Sequence, residues 1–534
     1  MHVTVRRGDG KAEIAAYRAH VIPWQLAVLL VALVGLFVSL WPLGLAGDYM
    51  NHLARNHIEA RIWFDASLRE NYTISFAVIP DLAMDIVVPW LAQLTGVYAA
   101  GAVMMGAAFV LPPFAGLLIA QTLHGRVSWI ALLGFLAVFN ENMQWGFVNF
   151  VVSTGLALVG FAFWIRCSPS WRRSFIFLPF GVFLAFSHAL GFLLFGYLIL
   201  LWEIGCFAAG QRGSLACFLR QLTTKDAVAM LSGLAVLAMA TQGAQELTHA
   251  GVVDFSLLPK IDALWAGANF FDPWLARLVT LSLICVFWLG LRRGILEIEP
   301  RMKWVCAGLL ALILAMPTSV FGIWGLHFRY PAVLIILAAA SVKVRPGGGR
   351  IAKQAAAGAA SLLAVVAYIN GALHMARIDG FADSYRNLLT GLPEGARVLP
   401  ARHEQTDPLL TLHAAGMAVI ESSAFVPNLF TNTSPVSVRP QMRALHMPQA
   451  WPLLEEELAD AAGLELPPSR NGYWSPYYHY GWPRFWDYVL YFRVGPHQSL
   501  DLPFLCREAE SARAILYRIS DSECPAGRPG LTAS

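Results

Sequence analysis

A short polar run follows the first long apolar segment of the chain and extends from Gly47 to His57. Asp48 and His52 are four positions apart, so on a helix they would share a face, and Arg55 would lie near both. The carboxylate could act as a base, or it could hold a divalent cation (Mg²⁺ or Mn²⁺) together with the imidazole, while the arginine could bind phosphate. A simpler role is also open, in which Asp48 caps the helix.

Five other polar residues lie in short segments between apolar runs. They are Glu141, His188, Lys260, His327 and Arg329. Glu141 could supply a second carboxylate and His188 a ligand or proton relay, because ionisable groups near a bilayer are costly unless they are used or solvated. The cationic residues could pair with phosphate. Each residue also has a plain structural alternative: an amide-rich turn for Glu141, a hairpin turn for His188, and snorkelling to lipid headgroups for the cations.

The composition points to a membrane as the surroundings of these residues. Of 534 residues, 57% are hydrophobic and only 13% are charged, and the mean hydropathy is +0.55. A water-soluble protein usually carries roughly a quarter charged residues, so a cytosolic enzyme, a disordered chain and a fibre are all excluded. The net charge of +4 is too small to indicate nucleic-acid binding. The chain is therefore predicted to be a polytopic α-helical membrane protein.

The apolar runs give the number of membrane spans. A hydrocarbon core of about 30 Å requires roughly 20 apolar residues per helix. The first run, Val21 to Leu45, follows four basic residues and lacks a cleavage pattern, so we interpret it as an uncleaved anchor. The later runs lie at about residues 97–122, 128–140, 147–166, 174–187, 189–207, 226–243, 276–291, 303–318, 330–343 and 355–374. The pattern predicts about eleven transmembrane helices.

The distribution of lysine and arginine predicts the orientation, because short cytoplasmic loops retain these residues. Basic residues concentrate in the loops that face the cytoplasm when the N-terminus is inside. This arrangement requires that residues 80–94 form an amphipathic helix at the outer surface and do not cross the bilayer. Residues 46–96, 244–275 and everything after about Met375 then face outward. We expect a multi-pass membrane protein with its C-terminus on the outer side, which is the periplasm if the membrane is a bacterial inner membrane.

The chain changes character near residue 375. This change predicts a transmembrane domain over residues 1–374, with a first periplasmic loop at 46–96, and a periplasmic α/β domain over residues 375–534. Its predicted strands are Arg397–Leu399, Met417–Ile420, Tyr488–Phe492 and Ile515–Ile519, and its predicted helices are Asp379–Leu389 and Ala450–Ala462. The domain contains Cys506 and Cys524, and an oxidising compartment would allow a disulfide between them.

The motifs of several common chemistries are missing from the sequence. It contains no Walker loop, no dinucleotide fingerprint beside a predicted strand, no Cys-x-x-Cys, no His-Glu-x-x-His and no nucleophile elbow. We therefore expect no nucleotide cofactor.

The first 170 residues resemble the GT-C superfamily of integral-membrane glycosyltransferases, in particular the branch of aminoarabinose and protein-mannosyl transferases. Asp48 stands where this branch places an acid at the start of the first periplasmic loop, and a helical stretch follows as far as Glu59. Residues Pro80–Gly96 match its proline-containing interfacial helix, which leads into the span that begins at Val97. Over the rest of the chain only the layout matches. The resemblance implies a GT-C-like fold.

One feature departs from this pattern. Many relatives place a second acid between the third and fourth spans, often as an aspartate at the start of the fourth. In this sequence Asn149 lies near that position, and Glu141 is the only carboxylate of the segment Phe139–Asn149. If Glu141 replaces the missing acid, a metal or acceptor site is retained. If it does not, a metal-independent mechanism is implied.

The resemblance implies an inverting glycosyltransferase of a bacterial inner membrane that moves a sugar from a polyprenyl-phosphate-linked donor to a periplasmic lipid, glycan or protein. Asp48 would deprotonate the acceptor hydroxyl, or hold a divalent cation with His52, and Glu141 is the second catalytic candidate. Arg329, with Lys260, would bind the leaving phosphate, whose charge needs fixed cationic partners. The remaining candidates for substrate binding are Arg55, His188 and His327.

A second function class also fits the sequence. The missing second acid is compatible with a non-catalytic protein of envelope polysaccharide assembly or with a transporter of lipid-linked glycans. A transporter should show charges deep within several spans or paired interrupted helices, and this sequence has few of either. In both classes the expected partners are a lipid-linked sugar and membrane lipids.

Overall fold

Helices dominate the computed structural model, which describes residues 21–75, 77–243, 253–320, 323–345, 350–431, 434–467, 475–520 and 531–532. The helices are α1 (Trp24–Val38), α2 (Asp48–Arg61), α3 (Ala66–Asn71), α4 (Ala83–Thr95), α5 (Val97–His124), α6 (Glu141–Gln144), α7 (Val148–Arg166), α8 (Trp171–Ser187), α9 (Ala189–Ala208), α10 (Leu215–Gln221), α11 (Ala227–Gly243), α12 (Leu257–Trp265), α13 (Pro273–Arg292), α14 (Pro300–Ala315), α15 (Pro331–Ala340), α16 (Arg350–Leu389), α17 (Pro408–Thr411), α18 (Gly416–Ser422) and α19 (Glu455–Ala461).

The strands are short, and several of them only pair two loops. They are β1 (Val21–Ile22), β2 (Tyr72–Ile74), β3 (Val127–Ser128), β4 (Leu296–Ile298), β5 (Ser319–Val320), β6 (Ile323–Trp324), β7 (Val342–Val344), β8 (Val398–Arg402), β9 (Val436–Val438), β10 (Leu453–Leu454), β11 (Tyr488–Phe492), β12 (Leu505–Glu510), β13 (Ala514–Ile519) and β14 (Leu531–Thr532). Six of them form one mixed sheet in the order β10-β8-β11-β13-β12-β14.

Six helical stretches in the described part of the chain are long and apolar enough to cross a membrane. They are Val97–His124, Val148–Arg166, Ala189–Ala208, Leu215–Ala240, Pro273–Arg292 and Ser361–Leu389. Three shorter apolar helices accompany them: Trp24–Val38, Ala83–Thr95 and Leu326–Ala340. The predicted multi-pass helical character is therefore confirmed, and the number of eleven spans stays a prediction.

One predicted span takes a different form. Within residues 128–140 the chain forms a nine-residue 3₁₀ helix, Trp129–Ala137. With a rise of about 2 Å per residue, this helix is about 18 Å long, well below the bilayer core of about 30 Å. It is buried along most of its length and packs against α15, where Gly134 lies close to Ile336. The apolar residues of this segment therefore serve protein packing and do not form a span of full length.

Backbone contacts divide the chain into two compact units. The first comprises Met1–Val38, Gly106–Met143 and Asn149–Leu373, and the second comprises Ser39–Met105, Gln144–Val148 and His374–Ser534. In the first unit α8 packs along α11, and α9 packs along α14. In the second unit α2 packs against α4 and α18, and β2 pairs antiparallel with β9. The segment that follows α1 and the C-terminal region therefore belong to the same unit.

The six-stranded sheet of the second unit contains two predicted strands, Tyr488–Phe492 and Ile515–Ile519, and its strand β8 overlaps the predicted strand Arg397–Leu399. Tyr488–Phe492 is β11, which pairs with parallel β8 on one side and antiparallel β13 on the other. The run Met417–Ile420 is not a strand, because it lies within the helix α18. This helix is buried against α2, and a Cβ atom at Gly416 would lie only 3.2 Å from the carbonyl oxygen of Met50. Tertiary packing overrides the β-propensity of its valine and isoleucine.

Helix α4 forms within the stretch that was predicted as a surface helix. Met84, Asp85 and Val88 are buried, whereas the large apolar side chains of Ile86, Val87, Trp90 and Leu94 are exposed. This exposed apolar row suits a helix that lies against lipid.

Cys506, on β12, is disulfide-bonded. Its predicted partner, Cys524, lies outside the described residues. Five other cysteines in the described part of the chain are free thiols: Cys167, Cys206, Cys217, Cys285 and Cys306.

Buried charges connect several helix ends in the first unit. Glu203, near the end of α9, accepts hydrogen bonds from Arg173 at 3.3 Å and from Arg212 at 2.7 Å. Arg173 also donates to Asp226 at 2.5 Å. Removal of one partner would leave an unpaired buried charge, which is strongly destabilising.

Candidate functional site

The backbone at the start of α2 leaves the Asp48 side chain available. Gly47 precedes the helix with φ = 60°, and a Cβ atom there would lie 2.5 Å from the carbonyl oxygen of Trp145. The same carbonyl accepts a hydrogen bond of 3.0 Å from the backbone N–H of Asp48. Asp48 is thus the first residue of α2, and the preceding position has no side-chain cap. Asp48 is therefore not the N-cap of α2, which was the simpler role considered for it.

The Asp48 carboxylate lies beside a histidine from a distant part of the chain. Its Oδ1 is 3.5 Å from Nε2 of His413, in the connection between α17 and α18. The His413 side chain is 2% exposed and that of Asp48 is 20% exposed. Asn51, on the same face of α2, contacts the other ring nitrogen of His413 at 3.0 Å. His413 could not be predicted from the sequence, because no local pattern connects residues 362 positions apart, such as this histidine and Asn51.

The other two candidates on α2 are buried. His52 is 5% exposed, and Arg55 is fully buried. Nη2 of Arg55 donates to both carboxylate oxygens of Asp85 on α4, at 2.7 Å and 2.8 Å. One nitrogen of the guanidinium therefore pairs with Asp85 in this conformation, and the predicted assignment of Arg55 to substrate binding stays a prediction.

A further acid lies next to this ion pair. Burial raises the pKa of the Glu59 carboxyl group far above its usual range, and the negative charge of Asp85 acts in the same direction. Positive Arg55 opposes the shift only in part. On the same helix, burial and the neighbouring charge of Arg61 lower the pKa of His57 to about 4. Glu59 is thus protonated and His57 neutral near pH 7.

Arg329, in the first unit, lies among aromatic rings. Its guanidinium carbon is 5.1 Å from the centre of the Phe150 ring, a cation–π distance. The side-chain amide of Asn142 donates to the backbone carbonyl oxygens of Phe328 and Arg329, at 3.4 Å and 3.2 Å. These contacts position a buried cation at the N-terminal end of α15.

His188 belongs to the same group of residues. It lies between α8 and α9, and its Nδ1 accepts a hydrogen bond of 3.1 Å from the backbone N–H of Leu190. The neutral ring therefore carries its proton on Nε2. Phe150 packs against His188 edge to face at 5.4 Å, and Tyr330 donates to the Leu190 carbonyl oxygen at 3.0 Å. Arg329 and His188 thus both contact Phe150. Their closeness could not be predicted from the sequence.

The remaining cationic candidates lie near Arg329 in sequence or in space. Lys260, on α12, is 5% exposed, and its Nζ is 5.0 Å from the centre of the Phe255 ring. His327 is 7% exposed and packs against the rings of Trp324 and Phe328. α12 packs against the 3₁₀ turn that contains His327. The structure therefore brings α12 next to the segment that carries His327 and Arg329.

Glu141 is held by a strained loop. Its carboxylate accepts a hydrogen bond from the side-chain amide of Asn269. The next two residues, Phe270 and Phe271, have φ values of 49° and 60°. Such values are uncommon for bulky residues and costly in free energy. The backbone N–H groups of Asn269 and Phe270 both donate to the Phe139 carbonyl oxygen, which holds the loop against the segment before Glu141.

The described residues do not form a metal site by themselves. Over those parts of the chain, no three potential ligands from histidine, cysteine, aspartate and glutamate lie close enough together to hold an ion. Asp48 and His52 supply at most two donors, and Oδ1 of Asp48 already faces His413. We therefore assign no chemical step to a divalent cation.

The fold was compared with solved structures. Two crystal structures of ArnT from Cupriavidus metallidurans, a GT-C aminoarabinose transferase, match it over 94% of this chain and 99% of theirs. The structure bound to undecaprenyl phosphate has a TM-score of 0.51, and the apo structure has a TM-score of 0.53, both at 12% sequence identity. The chain therefore has a GT-C-like fold, as the sequence predicts. No protein-family model and no curated protein sequence matches the chain at a significant level.

Proposed function

We propose that this protein is a membrane glycosyltransferase that uses a polyprenyl-phosphate-linked sugar as donor. The GT-C-like fold supports this proposal, and one of the matching ArnT structures was determined with undecaprenyl phosphate bound. The acceptor would be a hydroxyl group of a lipid, a glycan or a protein at the periplasmic face of a bacterial inner membrane.

The availability of the Asp48 carboxylate carries the proposal. In the first half of α2, the residues from Tyr49 to Asn56 are buried, whereas Asp48 keeps part of its side chain exposed. A partly desolvated carboxylate at the start of a helix that does not cap the helix is suited to accept a proton. Among the α2 candidates, Arg55 and His52 lack this exposure.

The proposed reaction is a single displacement, which inverts the configuration at the anomeric carbon. Asp48 takes the proton from the acceptor hydroxyl, whose oxygen forms a bond to the anomeric carbon as the bond to phosphate breaks. The electron pair of that bond stays with the polyprenyl phosphate. The candidates from the sequence for stabilising the added negative charge are Arg329 with Lys260, and His188 is a further candidate for a hydrogen bond to a phosphate oxygen. Glu141 is the second catalytic candidate, and it would contact the acceptor.

The experiment is a transfer assay with purified protein. The protein is incubated with a panel of radiolabelled polyprenyl-phosphate sugars and a membrane extract, in EDTA and in added Mg²⁺ or Mn²⁺. We expect wild-type protein to incorporate label and Asp48→Asn to lose transfer by at least ~100-fold, because a general base typically contributes about 10²–10⁴-fold. Asp501→Asn, which changes an exposed aspartate, is the matched control and should retain full transfer.

Arg329→Gln tests the phosphate role separately. It should weaken donor use, whereas Arg484→Gln, at an exposed arginine, should not. Equal incorporation by wild type and Asp48→Asn would remove Asp48 from the mechanism. No incorporation by wild type with any donor would favour the non-catalytic or transport class instead.

A further inference from the structure

Two backbone groups orient the side-chain amide of Asn51. Its Oδ1 accepts from the backbone N–H of Phe430 at 2.9 Å, and its Nδ2 donates to the carbonyl oxygen of Asn428 at 2.8 Å. A backbone N–H can only donate and a carbonyl oxygen can only accept, so turning the amide over would break both bonds. The second N–H of the amide is therefore a fixed donor, and it points at Nδ1 of His413, 3.0 Å away.

This donor determines the tautomer of His413. Because Nδ1 receives a hydrogen bond, it carries no proton of its own, and the single proton of the neutral ring is on Nε2. Nε2 is the ring nitrogen that lies 3.5 Å from Oδ1 of Asp48. The protonated nitrogen of the histidine is therefore the one that lies nearer to the carboxylate.

The surrounding packing fixes the ring of His413 as well. The side chain is 2% exposed, and the Phe430 ring packs against it edge to face at 4.6 Å. Asp48 and Asn51 are three positions apart on α2, so the carboxylate and the amide meet two different nitrogens of one ring from the same helix face. The separation of 3.5 Å is long for a hydrogen bond, and such contacts commonly tighten when substrate binds.

We propose that His413 is a positioning residue for Asp48: its Nε2–H holds Oδ1 of the carboxylate and leaves Oδ2 to receive the proton of the acceptor hydroxyl. Asn51 supports this arrangement through the tautomer. The inference rests on the proposed function, in which Asp48 is the base. It adds a residue of the C-terminal region to the machinery of the reaction.

Kinetics of three variants test the role. His413→Ala should lower kcat by about 10- to 100-fold with KM changed less than twofold, because a misplaced reactive group costs rate more than binding. His413→Gln keeps an N–H near the position of Nε2 and should recover most of kcat. The control is His497→Gln, which changes an exposed histidine of the same unit, and it should leave kcat unchanged.

A spectroscopic experiment tests the geometry without substrate. In protein labelled with ¹⁵N-histidine, the His413 signals are identified by their loss in His413→Gln. At pH 7 we expect Nε2 to be protonated and Nδ1 to be unprotonated. A proton on Nδ1 would contradict the proposed arrangement.

The outcomes separate the two proposals. Normal kcat in His413→Ala, with the wild type active, overturns the positioning role and leaves the proposed function intact. An inactive wild type overturns both. If kcat falls in His413→Ala and does not recover in His413→Gln, the positioning role is also contradicted. The loss would then come from the missing packing of the imidazole ring and not from its N–H group.

Discussion

Single residues show which parts of the candidate site the sequence can reveal. Asp48 was predictable as a candidate because it is an acid directly after an apolar run, and its catalytic role stays a proposal. Its neighbour His413 was not, since it comes from a segment hundreds of positions away and lies next to Asp48 only through tertiary structure. The proximity of His188 and Arg329 through Phe150 is another contact of this kind.

Glu59 provides a prediction at the residue scale. Because its pKa is raised in the folded protein, the folded state holds a proton that the unfolded chain releases above its ordinary pKa of 4.5. This contribution to stability is fully present below that pH and is lost as the pH rises. We expect Glu59→Gln, which imitates the protonated acid, to raise Tm by about 1–3 °C at pH 8 and to flatten its decline between pH 6 and 9.

The measurement is thermal unfolding in one detergent at several pH values. Glu70→Gln, an exposed glutamate that follows α2 along the chain, is the control and should keep the wild-type pH profile. A Glu59→Gln variant whose Tm falls with pH as steeply as wild type would show that Glu59 is not the group responsible.

At the scale of elements, the sequence predicted helices correctly where the local pattern of residues determines the structure. α4 was predicted as a helix at the membrane surface, because its stretch carries Asp81, Asp85 and Pro89 and because the lysine and arginine distribution requires that it does not cross the bilayer. The ion pair between Arg55 and Asp85 joins α4 to α2. It was not predictable, because the sequence around Arg55 also fits a phosphate ligand. The strand predicted for Met417–Ile420 was wrong for the opposite reason. Its local pattern favoured a strand, but the segment packs on α2 as a helix.

The α2–α4 ion pair provides a prediction at the element scale. Arg55→Met leaves Asp85 in a buried site without its cation, which typically costs about 3–5 kcal/mol. We expect a Tm lower by several degrees and weaker sugar transfer, because α2 carries Asp48. Arg61→Met, at the exposed end of the same helix, should change neither property measurably. If both variants unfold like wild type, the ion pair does not hold the two helices together.

At the scale of the whole molecule, the fold class followed from the order of features along the chain. A charged loop after the first apolar helix, a proline-containing interfacial helix and a long C-terminal region predicted a GT-C-like fold, which is shared with ArnT at only 12% identity. The number of spans did not follow as directly, because an apolar run such as residues 128–140 can be buried in protein as well as in lipid.

The orientation provides a prediction for the whole molecule. In a background with Cys217→Ser and Cys285→Ser, a membrane-impermeant maleimide should label Asp501→Cys in cells with only the outer membrane opened. Arg292→Cys should react only after the inner membrane is disrupted, because its loop is predicted to face the cytoplasm. The background protein without an added cysteine is the control. The reverse pattern of labelling would invert the predicted topology.

The exposed apolar face of α4 has a practical consequence for work on the purified protein. During solubilisation, amphiphiles must replace whatever normally covers Trp90 and Leu94. Where the micelle covers this face poorly, α4 can tilt or detach, and its ion pair transmits the movement to α2. A preparation in a short-chain detergent would then lose turnover while remaining folded, and reconstitution into nanodiscs would restore it.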